Sequence, residues 1–373
     1  MGRLRVRCTA GAGAATSGRL LQEGTGSAGS SIGIVCSIRF HRARWEYHSV
    51  RTLLKILTAP LLVTAGAGWA GHLRGIPGTD LARVLPAVLA LLTGMWALGL
   101  RMEVSDKMSR WLRGSPARTF GLAQTIWVPY LLYALPLGIF SAGGFLRLFL
   151  YVNLPLLVMF TSESGSPPRW RDVLAVALVW LPVEFRLLGP LWSWPPGQAG
   201  NSLNGLVGTC LAVFLFVVVR DLPGVGYTFE ICWRDLLVAG LIFLSFTPMA
   251  VALGLSLGFL RPAGHLPALG PAIGTALGIL VVTGLPEELL FRGLIQNLIR
   301  HKIPRPALSI ALAALVFGTA HLNVGSHPDW RLWLLATLAG LAYGLAYHWS
   351  GTLMAPALVH TLVNSTWAFF FRR

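Results

Sequence analysis

Residues 284–293 read Gly-Leu-Pro-Glu-Glu-Leu-Leu-Phe-Arg-Gly, two carboxylates and a guanidinium set into an apolar stretch. Their meaning depends on the solvent. An ionised side chain at the centre of a bilayer costs at least about 2.5–3.5 kcal/mol on insertion scales, so a charge kept there has a partner or a task. Composition points to a bilayer: 54% of the 373 residues are hydrophobic, only 12% are charged, and mean hydropathy is +0.65. Soluble domains carry roughly 25% charged residues.

Working outward from 284–293, apolar runs near the ~20 residues needed to cross a ~30 Å hydrocarbon core recur along most of the chain. They fall at about 52–71, 83–100, 121–140, 143–161, 173–193, 202–220, 236–260, 268–286, 306–321, 331–348 and 352–371. The short alternating segments of a β-barrel are absent, and a helix satisfies its backbone hydrogen bonds internally. The expected fold is therefore an all-α, polytopic transmembrane helical bundle with about 8–11 membrane segments. In a bacterial cell its place is the inner membrane. The run at 173–193 contains Pro182, Glu184 and Arg186 and is expected to be broken or re-entrant.

Three regions are expected: 1–50, a disordered or targeting-like extension; 51–234, an N-terminal transmembrane region; and 235–373, which carries the chemistry. Arg3, Arg5, Arg7 and Arg19 lie among Gly, Ala and Ser in the first of these, a sequence that packs no core.

The net charge of +16 resides mainly in that segment and in the joints between apolar runs. This is a topology pattern, with no basic stripe interleaved with aromatics, so nucleic acid is not an expected partner. Arg101, Lys107, Arg110, Arg113 and Arg118 in one joint, and Arg300, Lys302 and Arg305 in another, should face the cytoplasm. That arrangement requires 173–193 to cross, and three further spans would place Arg372 and Arg373 on the opposite face, so either one C-terminal segment does not cross or those two arginines break the bias. Cys8, Cys36, Cys210 and Cys232 are widely spaced and suggest neither a zinc knuckle nor a disulfide framework.

Within 284–293, Glu288 and Arg292 are i,i+4 neighbours that can neutralise each other. Glu287 is rotated about 100° away and is left free for work. Taken alone, the group fits an interfacial helix equally well, because Gln296, Asn297, Arg300 and His301 follow. The next segments shift the balance: Phe317-Gly-Thr-Ala-His321 ends one, and His360-Thr-Leu-Val-Asn364 lies inside another. At 1.5 Å per residue, Glu287 lies ~20 Å from Arg300, His321 ~21 Å from Ala307, His360 ~12 Å and Asn364 ~18 Å from Thr352. Helices side by side would bring all four into one layer.

E-E-x-x-x-R, F-x-x-x-H and H-x-x-x-N, in that order on separate apolar segments, resemble the CAAX-protease and bacteriocin-processing family of intramembrane proteases (CPBP, also called Abi or Rce1-like). The resemblance covers about residues 235–371. It implies a catalytic set of Glu287, Glu288, Arg292, His321, His360 and Asn364. In that set Glu287 with His321 activates water, His360 with Asn364 stabilises the oxyanion, and Glu288 with Arg292 holds the helix. Low dielectric makes a carboxylate more basic, which suits a general base, and well-aimed donors are worth ~3–4 kcal/mol each at an oxyanion.

Zinc is the one cofactor with a plausible ligand set, Glu287, His321 and His360, open at its fourth position. No H-E-x-x-H is present, and a metal-free mechanism is preferred. The expected partners are the lipid bilayer and a peptide or protein substrate, hydrophobic or anchored to the membrane. Two other classes remain: a proton-coupled transporter, for which the N-terminal half shows no second copy of the motifs, and a catalytically silent scaffold or immunity protein on the same fold.

Overall fold

The computed structural model describes residues 30–73, 75–100, 104–160, 162, 164–193, 200–264, 267–324 and 327–372, with the backbone alone for 30–50 and 200–202. Residues 1–29 of the expected extension lie outside these. From Ser30 the backbone belongs to a helix, α1 (Ser30–Leu73). The chain divides into two units, Met1–Arg51 and Thr52–Arg373, and the second carries every charged motif of the apolar segments.

Helices account for almost all of the regular secondary structure of this second unit. α2 (Gly78–Gly99), α3 (Asp106–Leu112), α4 (Pro116–Ala123), α5 (Val128–Ala134) and α6 (Ala142–Met159) are followed by α7 (Trp170–Glu184) and α8 (Gly200–Ala212). α8 runs on as a π-helical stretch to Val219. After α9 (Trp233–Ser256) come α10 (Leu269–Ile279), α11 (Leu285–Glu288), α12 (Asn297–Lys302), α13 (Pro306–Ala320), α14 (Trp330–Ser350) and α15 (Met354–Phe370). A two-residue strand pair, β1 (Arg261–Pro262) and β2 (Phe371–Arg372), joins the ends of α9 and α15.

Among the described residues, six helices are long and apolar enough to cross a membrane: Arg51–Leu73, Gly78–Gly99, Ala142–Met159, Trp233–Ser256, Leu269–Lys302 and Pro306–Asn323. Shorter or less apolar helices run beside them. The 121–140 run is not one straight helix, since a 3-10 turn over Gln124–Trp127 separates α4 from α5.

Polar contacts define the two ends of the bundle. At one end Arg113 pairs with Asp221 at 3.5 Å, Asn297 Nδ2 donates to the Pro223 carbonyl at 2.8 Å, and Thr352 Oγ1 donates to Asp235 at 2.5 Å. Both basic joints therefore share that end. At the other end Arg331 Nη1 donates to the Gly258 carbonyl at 3.3 Å and β1 pairs with β2. Arg372 lies there, away from the basic joints, so of the two alternatives it is the arginine that departs from the charge bias.

α7 starts at the first end, where Asp172 and Arg220, each 1% exposed, pair at 2.8 Å. The Asp172 carboxylate also accepts from the Arg169 N–H at 2.6 Å, fixing the first turn. The helix stops at Glu184, as the expected break implied. The chain then turns through Arg186, whose φ is +54°, and Gly189, whose φ is +69°.

Residues 269–302 differ most from expectation. In place of a span ending near 286, one helix of 34 residues continues through the acid pair to Lys302. At 1.5 Å per residue it is about 51 Å long, well beyond a ~30 Å core. Pro286 should clash with the preceding turn. The helix widens into π geometry over Leu280–Gly284 just before it, and such a bulge accommodates the ring. A second π stretch spans Leu289–Gln296, so the acid pair sits between two irregular stretches and Arg292 within the second.

Candidate active site

Glu287 and Glu288 follow the first π turn and point different ways. Glu288 is fully buried, and its Oε2 lies 3.1 Å from Arg292 Nε one turn on, the pairing expected from i,i+4 spacing. Its Oε1 lies 2.8 Å from His360 Nδ1, where the imidazole N–H donates to the carboxylate. The Arg292 guanidinium also donates to the Gly340 carbonyl at 3.2 Å and lies 4.5 Å from the centre of the Phe317 ring and 5.2 Å from that of Tyr343. Aromatic faces and a carbonyl thus take the place of water around it. Gly340 is needed for this contact: a Cβ there would stand 2.9 Å from the Ala314 Cα, so a side chain would push α14 away from α13.

His360, 2% exposed, stacks on Tyr343 with centroids 4.8 Å apart at 19°. Its Nε2 is 3.9 Å from Glu287 Oε2, beyond hydrogen-bond distance. That oxygen is buried without a hydrogen-bond donor, whereas the Glu287 side chain as a whole is 32% exposed. Arg292, Glu288, His360 and Glu287 therefore form one chain leading from the core outward.

Glu287 emerges into a cavity of about 320 Å³ walled by α7, α8, the 269–302 helix and the end of α13. His321 lines the same cavity. Its Nδ1 is 2.8 Å from the Phe317 carbonyl. A carbonyl only accepts, so Nδ1 carries a proton, and in the neutral imidazole the lone pair is on Nε2.

His360 and Asn364 are not among the residues lining the cavity. Asn364 is half-buried, one turn beyond His360 on α15. Among the described residues, no three His, Cys, Asp or Glu side chains converge as a metal-ligand set, so Glu287, His321 and His360 do not form one. Glu184 lines the cavity and is hydrogen-bonded to Trp180 and Asn323 rather than paired with Arg186. Tyr343 and Asn323 were not anticipated; Tyr343 reads in sequence as one more aromatic in an apolar helix.

The elements that carry these groups coincide with a family match. Residues 269–366 match the model of the type II CAAX prenyl endopeptidase Rce1-like family. This segment is similar to an Rce1-like domain. It holds all six residues expected from the motifs, while Glu184, Trp180 and the α8 wall lie outside it. The uncharacterized protein YpbD of Bacillus subtilis (strain 168) is 29% identical over 82 residues, 22% of this chain and 38% of that relative's length. No solved structure matches the chain. Six helices long and apolar enough to cross a membrane mark an integral membrane protein, and its matched segment is similar to a peptidase family.

Proposed function

We propose that the protein is an intramembrane endopeptidase that cleaves hydrophobic or lipid-tethered peptides with a water activated by Glu287. The observation that carries this reading is that Glu287 and His321, from separate helices, line one cavity while Glu288, Arg292 and His360 form a buried hydrogen-bonded and ion-paired cluster behind it. A water between them would lose a proton to the Glu287 carboxylate and be oriented by the free Nε2 of His321. Its oxygen attacks the peptide carbonyl carbon. The proton then passes to the departing amine as the C–N bond breaks.

Behind the cavity, Glu288 is engaged by Arg292 on one oxygen and His360 on the other, so it serves as an anchor and not as a second base. His360 in this reading orients Glu287. Asn364, one turn or about 6 Å further along α15, does not line the cavity and is given no step. No step is assigned to a metal. The mixture of apolar walls with three titratable groups is that of a ligand site. The apolar lining, from Val179 and Val183 to Leu290 and Phe291, favours hydrophobic or membrane-anchored substrates.

The test is a comparison of membrane-protein termini by mass spectrometry in cells making the wild-type protein or Glu287→Gln. Termini that depend on Glu287 are expected. If none changes under any condition, the protein is a silent scaffold on the same fold.

A further inference from the structure

Glu184 reaches the cavity from α7, outside the segment that matches the Rce1-like family. Its Oε2 accepts from Trp180 Nε1 at 3.1 Å and its Oε1 from Asn323 Nδ2 at 3.2 Å. The same Asn323 amide donates to the Glu184 backbone carbonyl at 2.8 Å. Asn323 and Val324 are exposed, which places this group at the cavity's mouth. Both donors are neutral, each carboxylate oxygen has a lone pair to spare, and among the described residues no cation pairs with Glu184. Arg186, the nearest in sequence, is exposed.

Among the described residues no Lys or Arg lines the cavity, whose ionisable groups are Glu184, Glu287 and His321. Trp180 also lines it, held edge-on against Phe291 at 5.6 Å. A carboxylate beside an indole is chemistry that receives an ammonium or guanidinium group, through a charge-assisted hydrogen bond and a cation–π contact. It repels a free peptide carboxylate.

We propose that Glu184 is a specificity-determining residue, an anionic subsite that selects substrates carrying a Lys or Arg side chain beside the scissile bond. The inference rests on the protease reading above and narrows its substrate class. The favoured substrate is an apolar, membrane-associated peptide with a basic residue near the cut, not one whose free C-terminal carboxylate enters the cavity.

The experiment uses the full chain in phosphatidylcholine nanodiscs with acylated, internally quenched peptides of one apolar sequence. Lys, Gln or Glu is scanned through the positions on either side of the bond. At one position wild type should prefer Lys over Gln by about fivefold in kcat/KM, the scale of a partly exposed charge pair, and disfavour Glu. Glu184→Gln should bring the Lys-to-Gln ratio to about one, and Glu184→Lys should reverse the order in favour of Glu. A purely structural Glu184, needed only to tie down Asn323, would change all rates by one factor and leave the ratio alone; that result overturns the proposal. So does a wild type with no preference at any position, a result that needs no variant. Failure of wild type to cut any peptide in the series would defeat the protease reading itself, and the inference with it.

Discussion

His360 Nδ1 donates to Glu288 Oε1 at 2.8 Å, joining residues 72 apart in sequence on α15 and α11. The same carboxylate neutralises Arg292, and all three side chains are almost wholly buried. Replacing Glu288 by Gln would leave a buried guanidinium without its counter-charge. The expected loss of stability is about 3–5 kcal/mol, read as a fall in the unfolding midpoint in detergent. An unchanged midpoint would mean that the guanidinium finds water or another anion.

Glu287 makes no such anchoring pair, so Glu287→Gln should behave differently. Turnover of a labelled peptide should fall about 10²–10⁴-fold, the usual worth of a general base, with the unfolding midpoint nearly unchanged. Near-normal turnover in this variant, with activity abolished in His321→Ala, would move the role of base to the histidine.

His321 is predicted to contribute to kcat with little effect on KM, since it faces the proposed water and not the apolar walls. His321→Ala should lower kcat by about 10²-fold and stability by only about 1 kcal/mol, from loss of the bond to the Phe317 carbonyl. A change confined to KM would argue for a role in binding.

Gly340→Ala tests the packing behind the site. The new Cβ would meet the Ala314 Cα at 2.9 Å, backbone that cannot swing aside, and would displace the carbonyl that receives Arg292. A destabilisation of about 1–3 kcal/mol is expected, together with reduced activity. Wild-type stability in this variant would show that α13 and α14 separate without penalty.

Metal content is decided by elemental analysis of the purified protein. Substoichiometric zinc and activity that survives strong chelators are expected for the glutamate mechanism. One zinc per chain, lost together with activity, would replace it with a metal-assisted one.

Much was legible before any coordinates. Hydropathy and charge set the helical membrane class because a bilayer admits few alternatives, and i,i+4 spacing gave the Glu288–Arg292 pair because helix geometry is local. The rotation of Glu287 away from its neighbour followed from the same geometry. Which groups share a cavity was not local information. His360 could equally have faced substrate with Asn364; only the packing of α15 against the 269–302 helix turned its Nδ1 to Glu288. The continuation of that helix through Pro286 depended on π turns that relieve the proline clash, and no residue pattern announced them. Glu184 was visible as an expensive charge beside Arg186; its contact with Trp180 is i,i+4 within α7, whereas Asn323, 139 residues away, was brought to it only by tertiary packing. Sequence determines what each segment can be, through periodicity and the energetics of burial; the direction in which a buried polar group points is settled by whichever donor or acceptor tertiary packing brings within 3 Å or so of it.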